Sequence, residues 1–451
     1  MPYRSVAIVG RPNVGKSTLF NALAGSRIAI EADTPGATRD RILYPLTLEG
    51  RTFDLVDTGG IGAVDRQNLE KQVERQIALA IEAADALIFL VDGRDGPMPQ
   101  DREIADVLRR AGKAVLLAAS KADTRQLEDS LPSFHALGFG DALPVSAKQN
   151  RGLQDLRETI VAILPPETPE EKGVEGESLP HIALVGRRNV GKSTLINRIC
   201  GMERVIVSEI PGTTRDSIDI AIRDGDGGFV LIDTAGLRKR GQMDDSLEFF
   251  GQLRTERAVR RADAAILMLD ATDEIGRVDK RIAALVIEQR KPCVIALNKW
   301  DLARERNPGV SPADFSPYVD SRLPGMRFCR LAALSARDGE NARGVVDTAL
   351  ELVKQGAARV GTAALNAALA EAQKRRAAGA RGGRRGRIYY GTQIGVSPPT
   401  FLLFVNNPAQ FDDNYLRYLE NRLRQDLGYP EISLKMLLKA ADEKEIGRYS
   451  R

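Results

Sequence analysis

Three short motifs in this chain each occur twice, and the members of every pair lie 176 residues apart. Gly10-Arg11-Pro12-Asn13-Val14-Gly15-Lys16-Ser17-Thr18 returns as Gly186-Arg187-Arg188-Asn189-Val190-Gly191-Lys192-Ser193-Thr194. Pro35-Gly36-Ala37-Thr38-Arg39-Asp40 returns as Pro211-Gly212-Thr213-Thr214-Arg215-Asp216, and Asp57-Thr58-Gly59-Gly60 as Asp233-Thr234-Ala235-Gly236. Solenoid repeats run roughly 20–50 residues, so a period this long means two copies of a whole domain. A chain of 451 residues has room for both copies and a smaller third domain.

The copies are expected over residues 1–164 and 180–355. The segment 165–179 between them is rich in Pro, Gly and Glu and reads as an acidic, extended, solvated linker. Apolar runs such as Ala86–Val91, Ala114–Ala119, Ala264–Leu269 and Val294–Leu297 alternate with amphipathic stretches. That alternation predicts an α/β fold in each copy, a mostly parallel sheet with helices on both faces. Residues 356–451 read differently. Their pattern predicts a helix over 363–378, strands over Arg387–Val396 and Thr400–Asn406, a helix over 412–427 and a last strand over Ile432–Leu438. This is the order of a small α+β module.

No apolar run approaches the roughly 18–20 residues needed to cross a bilayer, so no membrane role is expected. Val6–Val9 reads as the first buried strand, broken too soon by Gly10-Arg11-Pro12 to be a signal peptide. Cys200, Cys293 and Cys329 lack metal-ligand spacing and are expected to be reduced, buried thiols. From Lys354 to Arg451 there are 17 Lys/Arg against 9 Asp/Glu, while the whole chain carries only +4. A basic tail on a slightly acidic body predicts a polyanion contact there.

G-x-x-x-x-G-K-[ST] after a short apolar strand is a P-loop. Its backbone N–H groups curl around phosphates, and the following helix presents its positive end to them. A chance match in a chain this long has odds of about one in a hundred, and two matches in the right context remove chance as an account. Lys16 and Lys192 are expected on the β- and γ-phosphates, and Ser17 and Ser193 on Mg²⁺. Asp57 and Asp233, each after an apolar run, would hold Mg²⁺ through water, and Thr38 and Thr214 would bring hydroxyls to the same ion. The backbone of Gly60 and Gly236 would sense the γ-phosphate, so its loss becomes a conformational switch.

Base choice falls to a different motif. Asn298-Lys299-Trp300-Asp301 matches the N-K-x-D element that reads guanine, and Ser335-Ala336-Arg337 would close over the base oxygen. A carboxylate such as Asp301 accepts from the N1–H and exocyclic amine of guanine, a donor pair that adenine lacks. The first copy reads Ser120-Lys121-Ala122-Asp123 and Ser146-Ala147-Lys148. Asp123 keeps the reader, but Ser120 cannot make both contacts of an Asn, which predicts a site weaker by about 1–2 kcal/mol.

Many GTPases orient the attacking water with a Gln after the acidic motif. Ile61 and Leu237 stand there instead and can do no such thing. Asn13 and Asn189 point a second way: an Asn oxygen helping to hold a monovalent cation beside the phosphates, where an arginine finger would place its charge. Asn is equally an ordinary turn former, and the residues alone leave both readings open.

With two P-loop domains in tandem, P-G-x-T-R-D in both, D-T-x-G plus a hydrophobic residue, and a basic C-terminal module, the chain resembles the EngA/Der family of double-Era-like GTPases. The resemblance covers essentially all 451 residues. It implies a cytoplasmic bacterial GTPase that hydrolyses GTP to GDP with Mg²⁺, works in assembly of the large ribosomal subunit, and carries a KH-like C-terminal domain. It also implies K⁺-stimulated turnover, with Asn13 and Asn189 as K⁺ ligands, and nucleotide control of domain arrangement and rRNA binding. A monomer is expected. Arg188 departs from the Pro usual beside Asn189, a change expected to alter the rigidity of that loop.

The segment Lys374–Arg387 is dense in Arg and suits RNA phosphates, although a solvated loop would look the same. Its G-x-x-G strings, Gly379–Gly382 and Gly383–Gly386, fall between a helix and a strand, so they are not expected to act as a KH clamp. Tyr389, Tyr390 and Phe401 suit base stacking or core packing equally.

Overall fold

The computed structural model describes residues 4–24, 43–48, 51–56, 77–78, 81, 84–124, 131–164, 179–202, 206–211, 218–224, 227–232, 246–378, 380–381 and 384–441. Contacts divide the chain into two compact units, one around the first sheet and one holding all the later sheets.

The first unit is built on a six-stranded sheet of β1 (Arg4–Val9), β2 (Leu43–Leu48), β3 (Arg51–Val56), β4 (Ala86–Asp92), β5 (Ala114–Ser120) and β6 (Leu143–Pro144). The spatial order is β2-β3-β1-β4-β5-β6, parallel except for the β2–β3 pair. β4 is apolar almost throughout because both of its faces are covered, as central parallel strands require. Leu87, Phe89 and Val91 pack on the helix Pro99–Ala111 through Ile104, Ala105 and Leu108. The alternate residues Ala86, Ile88 and Leu90 pack on the helices Lys16–Ala24 and Leu153–Ile163.

In the second unit, β7 (His181–Val185), β8 (Ile206–Pro211), β9 (Ile218–Asp224), β10 (Gly227–Ile232), β11 (Ala264–Asp270), β12 (Cys293–Asn298) and β13 (Arg330–Ala333) form a seven-stranded sheet. Its order is β13-β12-β11-β7-β10-β9-β8. The parallel core repeats that of the first sheet, and the antiparallel β8–β9–β10 meander extends one edge.

A short arginine-bearing hairpin, β14 (Ala380–Arg381) and β15 (Arg384–Arg385), precedes a three-stranded sheet. That sheet comprises β16 (Ile388–Gly395), β17 (Thr400–Val405) and β18 (Lys435–Ala440), with β16–β17 antiparallel and β17–β18 parallel. The helices Thr362–Arg375 and Asp413–Asp426 bury Leu365, Leu369 and Leu419 against Phe401 and Leu403. The expected α-β-β-α-β order is present. The last strand begins at Lys435, three residues later than the apolar run suggested. Ile432 and Leu434 are buried, but in the irregular approach to the strand.

This module shares one apolar cluster with the seven-stranded sheet, through Val346, Ala349 and Leu352 of the helix Ala342–Ala357. Arg330 grips Glu431 with two bonds of 2.8 and 2.7 Å, and the Arg424 guanidinium lies 4.1 Å from the Phe328 ring centre. Tyr429 donates to the Ala358 carbonyl at 2.7 Å. Phe401 is fully buried, which decides between its two readings in favour of core packing. One sequence expectation needs correction. Of the cysteines only Cys293 is fully buried; Cys200 and Cys329 are partly exposed. Among the described residues no helix is long and apolar enough to cross a membrane.

Candidate nucleotide-binding sites

Both P-loops have the same shape. Asn13 and Asn189 adopt φ of 65° and 61°, and Gly15 and Gly191 adopt 99° and 101°. Gly10 and Gly186 lie against the central strand, where a Cβ would meet the Leu90 carbonyl oxygen at 2.2 Å and the Met268 carbonyl oxygen at 2.6 Å. No other residue fits there, because the backbone itself is in the way. The left-handed turn carries Val14 and Val190 into the core and leaves Asn13 and Asn189 exposed.

Each lysine folds back over its own loop. Lys16 donates to the carbonyls of Gly10 at 2.8 Å and Arg11 at 2.9 Å. Lys192 donates to those of Gly186 at 2.6 Å and Arg187 at 2.7 Å. Burial pulls the Lys16 ammonium below the ordinary lysine range. Lys192 is lowered further, to about 8, by burial first and by the neighbouring Arg188 charge second. The Arg188 departure therefore has an electrostatic consequence, since Pro12 brings no charge to the equivalent place. Ser17 and Ser193 lie in the first helical turn after each loop, with Thr18 and Thr194 exposed beside them.

The base-reading elements differ between copies. Asn298 ends β12 and braces two loops: its Nδ2 donates to the Val190 carbonyl at 2.7 Å, and its Oδ1 accepts from the Ala336 N–H at 2.9 Å. Ser120 ends β5 and donates to the Val14 carbonyl at 2.6 Å. Its hydroxyl reaches the P-loop but has no second arm for the loop that carries Ala147. Lys121 pairs with Asp92 at 2.5 Å and Lys299 with Asp270 at 2.6 Å.

The two carboxylates expected to read guanine, Asp123 and Asp301, also keep different company. Asp123 accepts from Ser146 at 2.7 Å and pairs with Arg94. The Ser146 bond first and Arg94 second hold it below the usual carboxylate range. Asp301 instead pairs with Arg337 at 2.9 Å, while Ser335 turns to Asp338. Arg94, Asp92 and Asp270 were not singled out from the sequence. The two aspartates do recur in it, at a spacing of 178 rather than 176.

Thr38, Asp57, Thr58, Gly59, Gly60, Thr214, Asp233, Thr234, Ala235 and Gly236 lie outside the described residues, as do Ile61 and Leu237. The described parts bring together the P-loop, the lysine-aspartate element and the serine-alanine loop in each copy.

Comparison with known proteins agrees with this arrangement. Residues 5–121 and 181–299 both match the family described as 50S ribosome-binding GTPase. Residues 359–439 match the C-terminal KH-domain-like family of EngA bacterial GTPases. A curated GTPase Der of Clostridium novyi is 42% identical over 96% of this chain and 97% of its own length. One from Alkaliphilus oremlandii is 39% identical over 96% and 98%. Among solved structures, Era with MgGDPNP and a piece of 16S ribosomal RNA covers 60% of this chain at 19% identity and a TM-score of 0.30. With two GTPase matches in tandem, a KH-like match behind them and relatives aligned nearly end to end, the chain belongs to the GTPase Der family.

Proposed function

We propose that this GTPase hydrolyses GTP to GDP and phosphate at both P-loops and acts in assembly of the large ribosomal subunit in the bacterial cytoplasm. The observation that carries this reading is the P-loop built twice, each with a partly buried lysine ammonium lodged on two carbonyls of its own loop. Such a cation is poised to exchange weak carbonyl partners for phosphate oxygens, a charge-assisted and stronger set. In this reading Asp123 and Asp301 take the guanine edge, and the family description over both copies names 50S ribosome binding.

The fold divides, in this reading, into a first G domain (1–164), a linker (165–179), a second G domain (180–355) and a basic KH-like domain (356–451). Mg²⁺ fits the hydroxyls of Ser17 and Ser193, hard oxygen donors at helix N-termini, and when bound it neutralises charge on the transferring phosphoryl group. Thr38, Asp57, Thr214 and Asp233 complete that set. Lys16 and Lys192 bind and orient the β- and γ-phosphates. Gly60 and Gly236 report the γ-phosphate through backbone N–H groups and so govern domain arrangement and rRNA binding. Asn13 and Asn189, exposed at the crest of each loop, would hold K⁺.

Co-sedimentation with large-subunit precursors at controlled salt is the deciding test. Binding should differ between GTP and GDP, and turnover should rise in K⁺ over Na⁺. A chain that ignores both the nucleotide and the precursor would remove the ribosomal role. Indifference to the cation would remove the Asn13 and Asn189 assignment alone.

A further inference from the structure

The second residue of each P-loop motif is an arginine whose side chain turns away from the loop. Arg11 pairs with Asp95 and places Nε 3.6 Å from Oδ1 of Asp101. Arg187 pairs with Asp273 at 2.7 Å and places Nε 3.8 Å from Oδ2 of Asp279. Asp101 and Asp279 are almost completely buried, and each sits in the first turn of the helix beside its P-loop. One oxygen of each caps that helix, accepting from the Met98 N–H at 3.0 Å and the Gly276 N–H at 3.0 Å. The other oxygen, Oδ1 in both cases, carries no hydrogen bond among the described residues.

Helix capping alone does not account for this arrangement. A cap needs one acceptor oxygen and tolerates exposure, whereas a second carboxylate oxygen buried without a bond is costly unless a cation stands near. The same four residue types are linked in both copies, with Arg11 nearest the unbonded Oδ1 of Asp101 and Arg187 nearest the capping Oδ2 of Asp279, although the surroundings have diverged. Gly93-Arg94-Asp95-Gly96-Pro97-Met98 in the first copy corresponds in sequence to Ala271-Thr272-Asp273-Glu274-Ile275-Gly276 in the second. Within that stretch the aspartate is the residue in common. The spacing from P-loop arginine to buried aspartate grows from 90 to 92 residues, yet the pairing is kept.

The backbone of the same arginine matters as well. Its carbonyl is one of the two that hold the P-loop lysine. A phosphate that draws the ammonium away removes that internal tie, and the loop then needs another anchor.

We propose that Arg11 and Arg187 are positioning residues, each anchoring its P-loop through a buried aspartate, Asp101 or Asp279, to the neighbouring helix so that the loop keeps its shape around a bound phosphate. This rests on the reading that both P-loops hold guanine nucleotide.

The test follows release of a fluorescent GDP analogue from the full chain, with Lys192→Ala silencing the second site or Lys16→Ala the first. Asp101→Asn keeps an oxygen for the Met98 N–H but removes the charge that faces Arg11. It should speed release from the first site about tenfold, the scale of one buried charge contact, with the thermal midpoint little moved. Arg11→Met should do the same, and Arg11→Lys should restore slow release. Because the two residues act as one device, Arg11→Met with Asp101→Asn should release no faster than the worse single change. Asp279→Asn and Arg187→Met should repeat the pattern at the second site. Release at the parent rate in both Asp101→Asn and Arg11→Met would overturn the proposal, and so would simple addition of the two effects. A parent chain that never retains the analogue would instead overturn the nucleotide reading beneath it, and the proposal with it.

Discussion

The two G domains carry nearly the same phosphate cradle and visibly different base readers. In the second, Asn298 ties the P-loop to the loop carrying Ala336 with one amide, so both walls of the site are held by a single side chain. In the first, Ser120 holds only the P-loop wall. Asp123 meanwhile is held by Ser146 and Arg94, and Asp301 by Arg337. The phosphate cradle is made largely by backbone, so Arg188 in place of Pro12 leaves the loop's shape intact while adding a charge beside Lys192. The expected base reader is made by side chains, which can be exchanged at a cost of a hydrogen bond or two.

The largest effect should come from the part the two copies share. Lys16→Ala or Lys192→Ala should each weaken GTP binding at its own site by about 100-fold, the loss of a charge-assisted contact in a partly buried setting. Both together should abolish turnover. Calorimetry on single-site chains reads this directly, and an undisturbed site after loss of its lysine would break the comparison at its base.

Next comes the brace. Asn298→Ser should weaken GDP at the second site by about 1–2 kcal/mol, or roughly 5- to 30-fold. Ser120→Asn should tighten the first site by a smaller amount, because the loop carrying Ala147 must adjust to meet the new amide. Equal GDP affinity in the two unaltered sites would mean that the second arm of Asn298 is worth nothing to binding.

The third prediction concerns protons. With its pKa near 8, Lys192 is partly neutral at pH 8 and would be drawn fully to its charged form by phosphate. GDP binding at the second site should therefore take up about half a proton at that pH, read from calorimetry in buffers of different ionisation enthalpy. Uptake at the first site should be smaller. Arg188→Pro should reduce uptake at the second site, because the neighbouring cation is gone; an unchanged value would leave burial as the entire cause. The stability sign follows from the same shift. A lysine lowered in the folded chain binds fewer protons than in the unfolded one between about 8 and its ordinary value of 10.5, so its contribution favours folding increasingly as pH rises through that window.

The smallest effect should come from Arg94. Its pair with Asp123 is largely exposed, so removing it changes little in energy, less than about 1 kcal/mol. Arg94→Ala should nonetheless tighten GDP at the first site a few-fold at low salt by freeing the reading carboxylate, and the gain should fade at high salt. A loss of affinity instead would mean that Arg94 helps to hold the base.

Much of this was legible from residues alone, and the reason differs from element to element. The P-loops were plain because Gly10, Gly15 and Lys16 are demanded by backbone geometry and charge at fixed spacing. The central strands of the two large sheets were plain because burial on two faces forces continuous apolar runs such as Ala86–Val91, whereas edge strands such as Leu43–Leu48 and Ile206–Pro211 carry no such run and were not foreseen. The last strand was placed early because Ile432 and Leu434 are apolar for core reasons that do not require a ladder. Phe401 looked available to a base for the mirror reason: alternation along a strand does not say which face a sheet turns inward.

The sequence by itself determined the number of P-loop domains and their largely parallel α/β character, because each depends on short-range spacing and local chemistry. Tertiary structure alone decided that Arg11 and Arg187 face buried aspartates some ninety residues away, and that Asn298 braces two loops where Ser120 braces one. It also decided that the C-terminal module shares a core with the second sheet. Those pairings join residues distant along the chain, and only the packing of helices on sheets brings such groups within a few ångströms of one another.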